Sequence, residues 1–493
     1  MKKILTILCV IGLVLNIFIS TSSSLNIEEG KEKIININDF DPLVDINITI
    51  DILAIRALDK IDFFSDPDFF LKVNINDEEF RSPTWCNTRN IYNCWKLTTD
   101  VPDDIEYVNI KFELWDSNLF ENKRCDISSD NNVNDEGYSI DIFYNIGSGI
   151  WSGDDYNIGD SSGYGRGCGS GDGSIYKDEN DCEIFFNIYQ NYFDNDGIPY
   201  WIETSVYGTD PMINDVGNDY DKDDIPIEWE HRWGFNPLIW DDHQNIDIDS
   251  DSLNNYEEFI TSKFGSDPYR KDIFLEIDYM EYENNSAQVE ILKKAEEFIK
   301  NPYHRRNIIF HLDTGENDGG EVIPSDNESS FEELQELYQN YFTHNGDQDW
   351  KRGIFHYALI VENCRPSGFG FSGDVWPYWG YIRGTNCFVV NKDLIQRKAK
   401  LIRTTDEYIL ACLFMHELGH NFGIRLGHPF GCDFPGSGSP FRLSYWIFRN
   451  YKSVMNYRYT YFILDYSDGS HGRRDFNDWE EIDLTWFEYV DSN

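Results

Sequence analysis

Lysine and arginine are scarce in this chain. There are 41 of them against 88 aspartates and glutamates, for a formal net charge of −47 over 493 residues. A surface of that sign repels nucleic acid and anionic surfaces unless cations intervene. Long apolar runs are also lacking after residue 19. The one such run, Ile4 to Ile19, follows Met1-Lys2-Lys3 and precedes the small polar residues Ser20 to Ser24. That order reads as a signal peptide over residues 1–24, with an uncleaved membrane anchor as the alternative. The expected location is therefore secreted, extracellular. Cysteine offers no thiolate zinc site by its spacing: there are ten, Cys9 falls in the leader, and an odd nine remain. Cys86 with Cys94, Cys168 with Cys182 and Cys364 with Cys387 are expected pairs by proximity, although spacing does not define connectivity. Cys412 reads as a buried thiol.

What is abundant is ordered acid. Asp219, Asp221 and Asp223 are followed by Glu230, and Asp247, Asp249 and Asp251 by Glu258. Both sets place oxygen donors at positions 1, 3, 5 and 12 of a calcium loop. Ile225 and Leu253 take position 7, where the carbonyl ligates and the side chain packs inward. Asp194 and Asp196 with Glu203 form a third copy, weaker because Tyr192 stands at position 1. Each copy ends alike, in Gly208-Thr209-Asp210-Pro211, Gly234-Phe235-Asn236-Pro237 and Gly265-Ser266-Asp267-Pro268. Such donors select calcium over zinc. Two to three structural Ca2+ ions are expected, against an acidic solvated linker as the plain alternative. The repeat resembles the EF-hand-type loops of thrombospondin type 3 and dockerin modules.

Upstream, Ile46–Ile52, Phe69–Ile75 and Val108–Leu114 alternate at the strand period, which predicts a β-sandwich over residues 41–150. Leu58-Asp59-Lys60-Ile61-Asp62, Ser65-Asp66-Pro67 and Leu114-Trp115-Asp116-Ser117-Asn118 resemble calcium loops of a C2 domain. The match is partial, because Asn118 replaces an aspartate and Arg124 stands where another is expected. That resemblance leaves membrane contact open. Residues 151–185, rich in Gly, Ser and Asp, read as a linker.

Residues 271–493 alternate strand and helix signals. Strands are expected at Asp272–Ile277, Asn307–Leu312, Gly353–Val361 and Cys387–Val390, with helices from Ser286 to Ile299 and from Ser330 to Phe342. His311 and His356 read as packing residues within strands. Thr404 to Glu407 reads as a capping box before the apolar run Tyr408–Met415. That run leads into His416-Glu417-Leu418-Gly419-His420. Histidines at i and i+4 share a helix face and can reach one zinc ion, with the glutamate between them as general base. Gly423 is a plausible helix terminator.

His416 to Gly423 resembles the start of the metzincin signature H-E-x-x-H-x-x-G-x-x-H, and Ser453-Val454-Met455-Asn456-Tyr457 resembles the metzincin Met-turn. Leu464 to Gly469 resembles a segment of pappalysin-like secreted peptidases. The resemblance implies a twisted mixed sheet backed by helices, one catalytic Zn2+, Met455 as an apolar floor, and Tyr457 near the reacting centre. It places a third histidine where this chain has Leu426. Either the turn is two residues longer and His428 is the third zinc ligand, which is the favoured reading, or the site is degenerate. Asp433 and His471 are distant substitutes.

The expected protein is thus multidomain: a C2-like β-sandwich, calcium-loop helical repeats over residues 186–270, and an α/β (α+β) metzincin-like catalytic domain. Its expected function is that of a secreted zinc metalloendopeptidase acting on protein or peptide substrates, with no nucleic-acid partner. The alternative is a calcium-stabilised extracellular binding or adhesion protein with a degenerate peptidase domain.

Overall fold

The computed structural model describes residues 42–493 except 130–137, 156–163, 173–179, 282–284, 316–318, 325–330, 363–367, 372–385, 426 and 488–493. The expected leader, Cys364 and Leu426 lie outside the described residues. No helix among those described is long and apolar enough to cross a membrane.

Ten strands come first: β1 (Asn47–Ala57), β2 (Phe69–Ile75), β3 (Glu78–Arg81), β4 (Asn90–Asp100), β5 (Tyr107–Asp116), β6 (Lys123–Cys125), β7 (Ile140–Asn145), β8 (Trp151–Gly153), β9 (Gly165–Cys168) and β10 (Cys182–Gln190). They form two antiparallel sheets, ordered β4-β1-β10-β9 and β3-β2-β5-β7-β8, with β6 against β5. Alternation puts Ile48, Ile50 and Ile52 of β1 in the core. Phe112 of β5 meets Phe186 of β10 between the sheets, with ring centroids 4.8 Å apart.

The expected linker needs correction, because β8, β9 and β10 lie in or begin within residues 151–185 and complete both sheets. Gly165 and Gly167 serve close packing there. A Cβ on Gly167 would stand 1.9 Å from Ile140, and one on Gly165 2.2 Å from the Phe186 ring. Two expected disulfides are corrected too: Cys86, Cys94, Cys168 and Cys182 are all free thiols. The thiol that interacts with Cys182 is that of Cys125 rather than that of Cys168. The expected pairing of Cys387 falls outside the described residues together with Cys364.

The acidic repeats follow as loops leading into short helices, Ile227–Trp233 and Asn255–Thr261, whose first turns carry Glu230 and Glu258. Position 7 packs inward in all three copies, at Ile198, Ile225 and Leu253. The terminal glycines Gly208, Gly234 and Gly265 all have left-handed φ, between 75° and 90°.

The last region is a mixed α/β domain. Strands β11 (Asp272–Met280), β12 (Ile309–Asp313), β13 (Val322–Ile323), β14 (Phe355–Val361), β15 (Gly368–Phe371) and β16 (Cys387–Asn391) form a sheet ordered β12-β11-β14-β16-β15, with β13 on β11. Pairing is parallel except at β15, which runs antiparallel to β16 along one edge. Strands buried on both faces explain the near-continuous apolar run Phe355–Val361. Helices Asn285–His304, Lys392–Ile402 and Asp406–Asn421 cover one face; Leu334, Tyr338 and Phe342 pack on the other.

A buried ion cluster ties the sandwich to this domain. Glu183 of β10 is fully buried and lies 3.0 Å from Arg56 of β1, 2.7 Å from Arg166 of β9 and 2.7 Å from His304 at the end of the helix Asn285–His304. Arg166 also donates to the His304 carbonyl at 2.7 Å.

Candidate functional site

The helix Asp406–Asn421 is buried from Ile409 to Gly419, so its two histidines are delivered into the interior. Thr405 caps its start, accepting from Tyr408 N–H. The reciprocal half of the expected capping box does not form, because Tyr408 rather than Glu407 occupies the third helical position. The helix stops at Gly423, whose φ is +92°. The chain turns there, and Ile424 N–H bonds back to the Gly419 carbonyl.

His416 and His420 present their Nε2 atoms to one carboxylate, that of Asp433. The separations are 3.3 Å from His416 to Oδ1 and 2.9 Å from His420 to Oδ2. Asp433 closes a short strand, β17 (Phe430–Asp433), and its N–H bonds to the Met455 carbonyl at 3.0 Å. Its φ of 48° is left-handed, a strained backbone that turns the carboxylate toward the histidines.

His428, expected as the third member, is exposed. It sits in a tight bridge with Arg425, joined by two backbone hydrogen bonds of 2.8 and 2.9 Å, which aims the turn outward. Cys432 N–H then closes on Pro429, and the returning strand brings in Asp433 instead. The group the structure assembles is His416, His420 and Asp433, all within reach of one ion. His471 belongs elsewhere, between Asp468 and Asp475.

Both imidazoles have assigned tautomers. A carbonyl can only accept, so His416 Nδ1–H donates to Val454 at 2.9 Å and His420 Nδ1–H to Ile424 at 2.6 Å. In the neutral rings both Nε2 lone pairs then face a carboxylate, which is repulsive unless a cation or protons lie between. Burial pulls the histidines down, but Asp433 outweighs it, holding His416 up at about 9 and raising His420. Burial would raise Asp433, yet the two histidines draw it well below the usual carboxylate range. Two nitrogens and a carboxylate oxygen suit zinc, and carbonyls behind metal-binding histidines are the usual support.

Met455 is fully buried beneath this group. Its thioether approaches the helix where it lacks a side chain: a Cβ on Gly419 would stand 2.6 Å from Met455 Sδ and 3.0 Å from Tyr466. Glu417 is buried, and desolvation raises its carboxyl, partly offset by the two histidines. The Tyr457 ring stacks beside His416, 6.1 Å between centroids, and burial pushes its phenol up.

The acidic loops also assemble. Asp194, Asp196 and Glu203 form one cluster; Asp219, Asp221 and Asp223 form another. In the third loop Asp247 accepts from Ser250 and Ser252 N–H, while Asp249, Asp251 and Glu258 face one another. Burial and mutual repulsion raise Asp196 and Asp221 to about 6, Glu230 and Asp251 to about 7, Glu203 to about 8 and Asp249 to about 9. Both Glu258 oxygens are buried without a hydrogen-bond partner among the described residues. These groups fit a divalent cation, as the sequence pattern leads one to expect. His243, which the sequence reading passes over, joins Asp223 and Glu230 in a further cluster. No local spacing signals it.

In the sandwich, the C2-like loops are largely self-satisfied. Lys123 Nζ lies 2.7 Å from Asp62, and both Asp116 oxygens accept, from Asp68 N–H and from Asn118. Arg124 pairs with Glu113. At the tips of these loops Phe63, Phe64, Leu119 and Phe120 are 76, 96, 92 and 97% exposed. His311 bonds Asp272 and His356 packs against Phe422 and Phe487, as packing residues.

No family model and no curated protein sequence matches the chain. Solved structures with partial likeness include C2 domains. One, described as the structure of a C2 domain, is 11% identical, with 29% of this chain and 98% of that one covered at a TM-score of 0.19. A C2 domain of a plant extended synaptotagmin 1 is 10% identical over 30% of this chain and 96% of its own, also at 0.19. Human GIVD cytosolic phospholipase A2 is 12% identical over 30% of this chain but only 17% of its own length, again at 0.19. Likeness at this level assigns no function to the chain.

Proposed function

We propose that the chain is a zinc-dependent endopeptidase whose third zinc ligand is Asp433. One observation carries the reading. His416 and His420 are each held by a carbonyl at Nδ1, so their Nε2 atoms converge on Asp433. His416, His420 and Asp433 would hold the ion, which supplies Lewis acidity and an acidified water when bound. Glu417 is buried and its carboxyl is raised, which suits it to take a proton from the attacking water and return it to the leaving amine. The Tyr457 hydroxyl, protonated throughout the physiological range, can donate to developing negative charge on the substrate oxygen. The edge strand β15 offers main-chain groups to an extended peptide. The test is casein cleavage and zinc content of Glu417→Gln. Zinc retained with kcat lower by about 100- to 10,000-fold is expected; unchanged cleavage would remove Glu417 from the chemistry.

The first and third acidic loops are read as calcium sites that stiffen the connector, and the export of the chain is part of the same proposal. The sandwich is read as a lipid-facing module, since four large apolar side chains crown two adjacent loops cross-linked by Lys123–Asp62. Sedimentation with phosphatidylcholine vesicles tests this. Phe64→Asp with Phe120→Asp should abolish co-sedimentation, and binding equal to wild type would refute it.

A further inference from the structure

The second acidic loop differs from its neighbours in having a nitrogen donor. His243 is 1% exposed and comes from the segment after the helix Ile227–Trp233. Its Nε2 lies 3.1 Å from Asp223 Oδ2 and 3.9 Å from Glu230 Oε1. Asp223 Oδ2 also accepts from Asp241 N–H at 3.1 Å, which fixes the carboxylate in place. Glu230 is fully buried, and apart from these ion-pair contacts neither of its oxygens, nor His243 Nε2, has a hydrogen-bond partner among the described residues. Three buried side chains therefore point at one spot, and the Glu230 oxygens and His243 Nε2 have nothing to face there but one another and Asp223 among the described residues. In a tetrahedral site with bonds of about 2.0–2.2 Å, donors stand roughly 3.3–3.6 Å apart, and the two separations here bracket that range. The loop also offers Asp219 and Asp221 as oxygen donors, so what sets this site apart from a calcium site is the buried imidazole, a donor that zinc takes and calcium does not.

The surroundings hold the imidazole in place. Trp229 and Phe235 meet it edge to face, with centroids at 6.0 and 5.1 Å. Asn255, also buried, brings its amide to 3.0 Å from His243 Nδ1, and Asn255 Oδ1 has no hydrogen-bond partner among the described residues. The two ends of an asparagine amide are interchangeable in assignment. With Oδ1 toward the ring, Nδ1–H donates to it and the Nε2 lone pair is free for an ion. That arrangement satisfies the orphan oxygen and supplies the outer support that metal-binding histidines use. The cluster in the first loop, Asp194, Asp196 and Glu203, contains oxygen donors only.

We infer that Asp223, Glu230 and His243 form a second zinc site, structural rather than catalytic, within a row of loops that otherwise take calcium. The full-length chain, equilibrated with zinc in millimolar calcium and then freed of loose ions, provides the test by elemental analysis. In the His416→Ala/His420→Ala double variant about one zinc per chain should remain. Adding His243→Ala should remove it. With only His243 changed, one zinc should be lost while casein cleavage persists at low temperature. No zinc in the double variant overturns the proposal without needing the His243 variant to fold. Zinc retained in the folded triple variant also overturns it, by placing the ion elsewhere. Because the double variant lacks the histidine pair, its result is independent of whether that pair is a peptidase centre.

Discussion

Exchanging Asp433 for asparagine keeps shape and removes one charge at the point where the two imidazoles converge. The structure allows the size of the effect to be worked out. Burial alone would depress His416, but beside Asp433 it is held at about 9 against an ordinary 6.5. At about 1.4 kcal/mol per tenfold change in acidity, the surroundings, with Asp433 the largest favourable part, favour positive charge on that ring by a net of about 3 kcal/mol after burial is overcome. A zinc ion in the same place draws on the same charge and on a direct bond besides. Asp433→Asn should therefore weaken zinc binding by about 100- to 1,000-fold. Chelator competition at about pH 7.5 measures this, with circular dichroism as the control for folding. His428→Ala, on an exposed turn, should leave affinity and proteolysis unchanged. The opposite pattern, zinc lost with His428→Ala and kept with Asp433→Asn, would refute the assignment of Asp433 and restore the histidine expected from the sequence.

Gly419→Ala should cost about 1–3 kcal/mol by overpacking, because its Cβ would press on Met455 Sδ at 2.6 Å; a lowered Tm with the metal-free protein reads it directly. Glu183 responds to acid. Burial would raise it, but His304, Arg166 and Arg56 more than compensate and hold its folded pKa well below the unfolded value. Its contribution is thus present above the ordinary glutamate pKa, about 4.3, and is lost as pH falls toward the folded value. Glu183→Gln should lower stability at neutral pH by about 3–5 kcal/mol, shown by urea denaturation, and should flatten the acid side of the stability profile. Calcium removal by EGTA should lower Tm and speed trypsin cleavage between Asp194 and Glu258, with both effects reversed by adding calcium back. An unchanged Tm would count against occupied loops.

The histidine pair was legible because helix periodicity alone puts His416 and His420 on one face, and the buried run before them needed only the helical repeat. The acidic loops were legible for the same reason, each being a local loop with its own turn. Asp433 was not, since its arrival depends on a turn over Arg425–Cys432 and on a left-handed backbone at an aspartate, neither of which has a composition cue. The sandwich was drawn too short because Gly165 and Gly167 look like linker residues until the Phe186 and Ile140 side chains that exclude a Cβ are seen above them. His243 is a tertiary contact between successive repeats, and no periodicity within one repeat could disclose it.

The cluster of Arg56, Arg166, Glu183 and His304 has a consequence for how this protein can be taken apart. Three of its members belong to the sandwich and the fourth to a helix that backs the mixed sheet. A cut just after Gln190, where the sandwich ends along the chain, would leave a carboxylate flanked by two guanidinium groups on a raw face and strip His304 of its partner. Neither half would be a self-sufficient module. The sandwich is in this sense a wall of the α/β domain rather than an attachment to it. Truncations meant to isolate the histidine pair in a folded setting should begin before β1.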